Sequence, residues 1–280
     1  MIYLDNAATS FHKPDCVPRA VAEAMQHAGN SGRGSSGEAM AASRLIFNTR
    51  CQIAEMFDVW GPECVAFTSN DTEALNIALQ GTLHPEEGTI HAICTEMDHN
   101  SVLRPLYRLE KKGMELTILP ADRKGRISLM ELEAAIRPET KVIVCTHASN
   151  LTGNLNDIHA IGAIAQKHQK LFIVDAAQTA GVFPISMKKD HIDILCFSGH
   201  KGLMGPQGTG AICVRPGVSV EPLKVGGSGV LTFQREHPQD MPEALEAGTL
   251  NSHGIAGLGA AISWITEIGT EQIRKREQQL

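Results

Sequence analysis

Leu171-Phe172-Ile173-Val174-Asp175-Ala176-Ala177-Gln178 decides how the chain folds. Its unbroken apolar run reads as a strand buried on both faces, closed at its carboxyl end by an acid. Val142-Ile143-Val144-Cys145 repeats the pattern upstream. Working outward, strand segments fall at 64–68, 90–95, 115–119, 141–146, 171–175, 194–198 and 209–214. Helix-length segments at 72–81, 101–112, 129–136 and 158–168 lie between them. Strand–helix alternation of this kind predicts an α/β fold around a mostly parallel sheet.

Two further helices, 17–27 and 38–57, precede the sheet, joined by a Gly/Ser-rich loop at 29–37, and 226–251 reads as irregular. Residues 255–280 read as one long helix without a glycine stop or a following proline. The expected division is an N-terminal arm at 1–13, a large domain at 14–254, and a helix at 255–280 leading to a C-terminal small domain that the sequence lacks. Ile262, Trp264 and Ile268 are then expected to be apolar positions exposed by the missing partner.

Composition excludes several classes. Of the 280 residues 42% are apolar, which suits a globular protein. The net charge of −6 and the absence of a basic block argue against nucleic acid or a membrane surface as partner. No apolar run approaches the ~18 residues of a membrane span, and residues 1–10 have no signal-peptide pattern. The seven cysteines are scattered without CxxC spacing, against a disulfide framework or zinc site, and predict a reduced, cytoplasmic protein. The twelve histidines show no metal-ligand spacing either.

Polar clusters follow successive strands. Ser198-Gly199-His200-Lys201 places a lysine past a strand end, where open α/β sheets bind ligands. Such a lysine can form a Schiff base with a carbonyl cofactor, or be an ordinary surface lysine. Asp175 can hold a pyridine nitrogen protonated or cap a helix, and Gln178 beyond it can reach a phenolic oxygen. Thr68-Ser69-Asn70-Asp71-Thr72-Glu73 turns a strand into a helix, as a phosphate cradle or a plain N-cap. His99 can stack on a ring in a chain with only 4% aromatics, or be a solvent-exposed loop residue. Asn150, after 142–145, can bind a ring oxygen or a substrate, or serve a turn. Singly each is weak; together they supply what pyridoxal 5′-phosphate (PLP) requires. No P-loop, HExxH or GxSxG element competes, and the glycines of 205–210 lack Rossmann spacing.

These segments, with Tyr3-Leu4-Asp5-Asn6-Ala7-Ala8-Thr9, Asp98-His99-Asn100, His147-Ala148-Ser149-Asn150 and Glu246-Ala247-Gly248-Thr249, resemble class V aminotransferase-fold enzymes of PLP fold type I. Within that group they are most similar to cysteine desulfurases of the NifS/SufS type. The resemblance runs the length of the chain. It implies a PLP Schiff base on Lys201, with Lys201 and His99 catalytic. It pairs Asp175 with the ring nitrogen and Gln178 with the phenolic oxygen, and stacks His99 on the ring. Thr72, Ser198 and His200 then hold the phosphate, and Asn150 lies beside the ring oxygen. Thr249 reaches the phosphate of a partner subunit in a homodimer with a shared active site. L-Cysteine is the implied substrate, L-alanine the product, and a protein thiolate the first sulfur carrier, with a sulfur-acceptor protein as a further partner. The family's nucleophilic cysteine and substrate-binding arginine fall beyond Leu280, and none of the seven cysteines here takes that place.

Two features depart from the pattern. Asp71 stands where a small uncharged residue is usual beside the phosphate site, and must turn away as a cap or pair with a cation. Arg33-Gly34-Ser35-Ser36 has Ser36 where a His is frequent, and Arg33 reads equally as structural or as reaching the site. The same frame also admits a class V aminotransferase, a cysteine-sulfinate or selenocysteine lyase, or a catalytically silent PLP-binding domain.

Overall fold

A computed structural model describes residues 2–29 and 37–279. The Arg33–Ser36 loop singled out above therefore lies outside the described residues. The seven strands are β1 (Val65–Thr68), β2 (His91–Thr95), β3 (Glu115–Leu119), β4 (Thr140–Thr146), β5 (Leu171–Asp175), β6 (Ile194–Ser198) and β7 (Gly210–Val214). They form one sheet in the order β1-β7-β6-β5-β4-β2-β3. The pairs from β6 through β3 are parallel, and β7 runs antiparallel to both of its neighbours.

The continuous apolar runs are explained by two cores, one on each face. Along β5, Phe172 and Val174 enter the core shared with Ile53, Phe57 and Leu258, while Ile173 enters the one shared with Leu75, Leu79 and Leu106. Successive strand side chains alternate faces, so a sheet covered on both sides needs an apolar residue at every position. At the sheet edge β3 keeps Glu115 and Ile118 exposed. The helices are α1 (Cys16–His27), α2 (Gly37–Met56), α3 (Asp71–Gln80), α4 (Asn100–Glu110), α5 (Leu129–Ala135), α6 (Ile158–Lys167), α7 (Ser252–Ile268) and α8 (Thr270–Gln278).

The C-terminal region corrects the reading of one long helix. Gly269 sits at φ +89° and ends α7, its N–H donating to the Ile265 carbonyl at 2.8 Å, and α8 starts after it. A left-handed residue of this kind is a helix stop that glycine adopts without strain. Ile262 is also not exposed. It is 1% accessible and packs with Ile255, Leu258 and Ile265 in the core beneath α2, while Trp264 and Ile268 are half-buried. The apolar stripe of α7 thus finds its partner inside these residues.

Candidate active site

The carboxyl ends of β1, β4, β5 and β6 meet at one edge of the sheet. Because β7 is antiparallel to β6, the connection between them turns at that edge, and this loop carries Lys201. The loop is held tightly. Gly199 N–H donates to the Thr209 carbonyl at 2.8 Å, and Gly205 N–H to the Gly199 carbonyl at 2.7 Å. A Cβ on Gly202 would stand 2.6 Å from the Ala180 carbonyl oxygen, so only glycine allows the loop to lie against the turn after β5.

Nine of the ten residues singled out from the sequence line one cleft here: Lys201, His99, Asp175, Gln178, Thr72, Asp71, Asn150, Ser198 and His200. The tenth, Thr249, is exposed and lines other cavities, so it adds nothing to the cleft of its own chain.

Capping explains the α3 side. Asn70 is the N-cap, its side chain accepting from Glu73 N–H at 2.9 Å, and Glu73 accepts from Ser69 N–H at 2.6 Å. These bonds leave Thr72 in the first turn facing the cleft, its hydroxyl 2.8 Å from Ser101 Oγ. Ser101 Oγ is in turn 2.9 Å from His99 Nδ1, which also accepts Ser101 N–H at 3.2 Å as the N-cap of α4. An Nδ1 that accepts from an amide carries no proton, so the neutral ring holds its hydrogen on Nε2.

Asp98 anchors this loop. Its Oδ2 accepts from Thr95 N–H at 2.7 Å and Thr95 Oγ at 2.8 Å, and its Oδ1 from Thr146 N–H at 2.5 Å. It ties the ends of β2 and β4 together, and burial raises its pKa to about 7 despite the three donors. Asp98 carries no assigned role in the Asp98-His99-Asn100 segment, and Ser101 just beyond it was not singled out. The N-cap spacing of Ser101 after His99 was a legible signal for the second.

The N-terminal arm straps the other side. Ser10 N–H donates to the His200 carbonyl at 3.0 Å, Thr9 Oγ1 is 2.9 Å from His200 Nδ1, and Gln178 Nε2 donates to the Ala7 carbonyl at 3.2 Å. One Gln178 N–H is thus spent on the arm, an arrangement that sequence spacing did not foretell. Burial, then Lys201 and Lys13, hold the His200 imidazole below its ordinary pKa.

The floor carries two acids. Asp175 is 2% exposed and its Oδ1 accepts Ala177 N–H at 2.8 Å. Asp71 is buried beside it and Oδ1 of Asp71 has no donor. Burial pushes both carboxyls up, Asp71 well above its usual range. Asp71 therefore neither caps α3 nor pairs with a cation as the sequence required; it turns inward onto another carboxylate.

Among known proteins, the Aminotransferase class-V family matches residues 2–280. The chain belongs to this family, whose enzymes depend on PLP. A "Probable cysteine desulfurase" of Methanothermobacter thermautotrophicus is 34% identical over 98% of this chain and 69% of its own length. Cysteine desulfurase IscS of Pseudomonas entomophila is 34% identical over 98% of this chain and 66% of its own. The apo structure of cysteine desulfurase from Thermococcus onnurineus NA1 superposes with a TM-score of 0.91 at 33% identity, covering 99% of this chain and 70% of that one. Within the family, this chain stands with the cysteine desulfurases.

The cleft fits the cofactor. Two buried acids with one orphaned oxygen have no ion-pair partner among the described residues, and a protonated ring nitrogen would supply one. In the same cleft, the N-terminus of the ten-residue α3, which Asp71 opens, and the Thr72 and Ser198 hydroxyls form a donor set for a phosphate dianion. Lys201 lines the same cleft.

Proposed function

We propose that this chain takes sulfur from L-cysteine and releases L-alanine, using Lys201 as its catalytic base. The observation that carries this reading is the placement of Lys201 and the Asp175 carboxylate in one cleft with a phosphate-type donor set. Bound PLP supplies a carbonyl that captures an amino group and a ring that accepts the electron pair left at Cα. Lys201 Nζ would hold the cofactor's carbonyl carbon at rest and, once released, move the Cα proton of the substrate. Asp175 would accept the ring N–H and keep that proton in place. Thr72, Ser198 and His200 would bind the phosphate, and Asn150 and Gln178 the ring oxygen. His99, held by Ser101, would cover the ring face and exclude water from it.

The sulfur balance is L-cysteine plus a protein thiol giving L-alanine plus a protein persulfide. Five of the seven cysteines are buried, with burial raising each thiol above its ordinary pKa, which keeps them from forming the attacking thiolate. Cys16 and Cys51 lie on α1 and α2 and do not line the cleft. The receiving thiol therefore comes from outside the described residues. Exposed Thr249 supports a homodimer in which each subunit completes its partner's phosphate site. A sulfur-acceptor protein would discharge the persulfide. The seven free cysteines support a cytoplasmic location, and no helix among the described residues is long and apolar enough to cross a membrane.

The test is alanine release from L-cysteine by the full-length protein loaded with PLP, with and without Lys201→Ala. Loss of at least ~100-fold is expected from removing a positioned proton-transfer group. Borohydride should also fix the cofactor to Lys201 in the unmodified protein. An unchanged rate in the variant would overturn the assignment.

A further inference from the structure

The mechanism above uses Asp175 and leaves Asp71 without a task. Asp71 is 7% exposed, opens α3, lines the cleft with Lys201, and keeps one carboxyl oxygen with no donor. An acid so placed is costly as an anion, and the cost is highest beside a second buried acid.

The groups facing it come from three elements. Asp175 from β5 lies against it, close enough for a carboxyl–carboxyl hydrogen bond. The Cys196 thiol on β6 lies nearby, and Lys201 approaches from the loop after β6. His99 and Asp98, from the loop after β2, lie toward Asp175. Two carboxyls in hydrogen-bond contact in a buried site share one proton. Asp175 is the better anion, because it accepts Ala177 N–H, whereas Asp71 Oδ1 has no donor. The proton therefore belongs to Asp71.

We propose that Asp71 is a neutral carboxylic acid that donates a hydrogen bond to Asp175, a positioning residue that fixes and moderates the carboxylate meant for the cofactor's ring nitrogen. This rests on the PLP reading of the cleft. It makes Asp71 part of the device that sets how firmly the ring proton is held, acting through Asp175 without touching the ring itself.

The test is a pH titration of the visible absorbance of the full-length holoenzyme, compared with Asp71→Asn and Asp71→Ala. Asparagine keeps a neutral donor, so its midpoint stays with that of the unmodified protein. Alanine removes the donor and concentrates the negative charge on Asp175, so its midpoint moves upward, by about half a pH unit or more. A downward shift in both variants means that Asp71 is an anion, and overturns the proposal. No shift in either means that Asp71 is not coupled to the cofactor, and overturns it equally. Infrared spectra of the same full-length protein without PLP separate this from the cofactor reading. A protonated-carboxyl carbonyl band near neutral pH that Asp71→Asn removes is expected. Its presence where no cofactor band ever forms would sink the PLP reading alone, and its absence would sink the neutral Asp71.

Discussion

Glu246 and Asp175 are both buried acids, 8% and 2% exposed, and the protein treats them in opposite ways. Glu246 is fully partnered. Its Oε2 accepts from Arg50 Nη2 at 2.6 Å and its Oε1 from Phe67 N–H at 2.6 Å, while Arg50 also donates to the Val65 carbonyl and lies 4.7 Å from the Phe67 ring centroid. The group ties α2 and the segment before α7 to β1, and its charge is cancelled where it sits. Asp175 has one backbone donor, a neighbouring acid and an approaching lysine. An ion pair at contact distance closes the first cluster, whereas Asp175 has no ion pair among the described residues and remains available to an outside cation. Burial alone does not distinguish structure from function; the partner set does.

The comparison can be broken most severely at Arg50. Arg50→Ala leaves Glu246 buried without its cation and should cost about 3–5 kcal/mol in chemical unfolding. A loss below about 1 kcal/mol would mean that Glu246 is protonated or reaches water, and the contrast with Asp175 would dissolve.

His147 offers a third case, a buried base. It is 7% exposed, its ring Nδ1 has no partner, and burial depresses its pKa to about 4. Between about 6.5 and 4 the unfolded imidazole binds a proton that the folded one refuses, so stability falls as pH drops through that window. The loss from pH 7 to pH 5 should approach about 2 kcal/mol, and His147→Gln should flatten it. An unchanged acid slope in the variant would assign the loss to other groups.

The smallest expected change has the opposite sign. Asp175→Asn removes an incompletely paired buried charge, so the cofactor-free protein should gain about 0.5–2 kcal/mol in thermal unfolding. Alanine release should meanwhile drop by roughly 100-fold or more, because the ring proton loses its counter-charge. A variant that loses both stability and activity would place Asp175 with Glu246, as a structural acid.

Much of this was legible in the residues. Val142–Cys145 and Leu171–Val174 announce strands buried on both faces, because they are short, rich in β-branched residues and bounded by turn signals. The polar clusters that close those strands could be matched to cofactor chemistry one by one. The C-terminal region was misread at Gly269, where one glycine at positive φ ends a helix that the surrounding residues would continue. Ile262 was misjudged for a different reason. A helix shows its apolar stripe in sequence, but not whether α2 lies within reach to cover it.

The sequence by itself determined the layering, the residue types available at the strand ends and the presence of Lys201, since all three depend on local pattern and chain order. Tertiary structure decided which of those residues meet. The parallel pairing of β6 with β5 brings the Lys201 loop to the edge where β5 ends, and the N-terminal arm crosses more than 160 residues of sequence to occupy Gln178 and His200. The inward turn of Asp71 onto Asp175 was equally beyond a linear reading. Whether a carboxyl is a cap, an ion-pair partner or a proton carrier depends on what surrounds it in space, and those neighbours come from segments that only folding brings together.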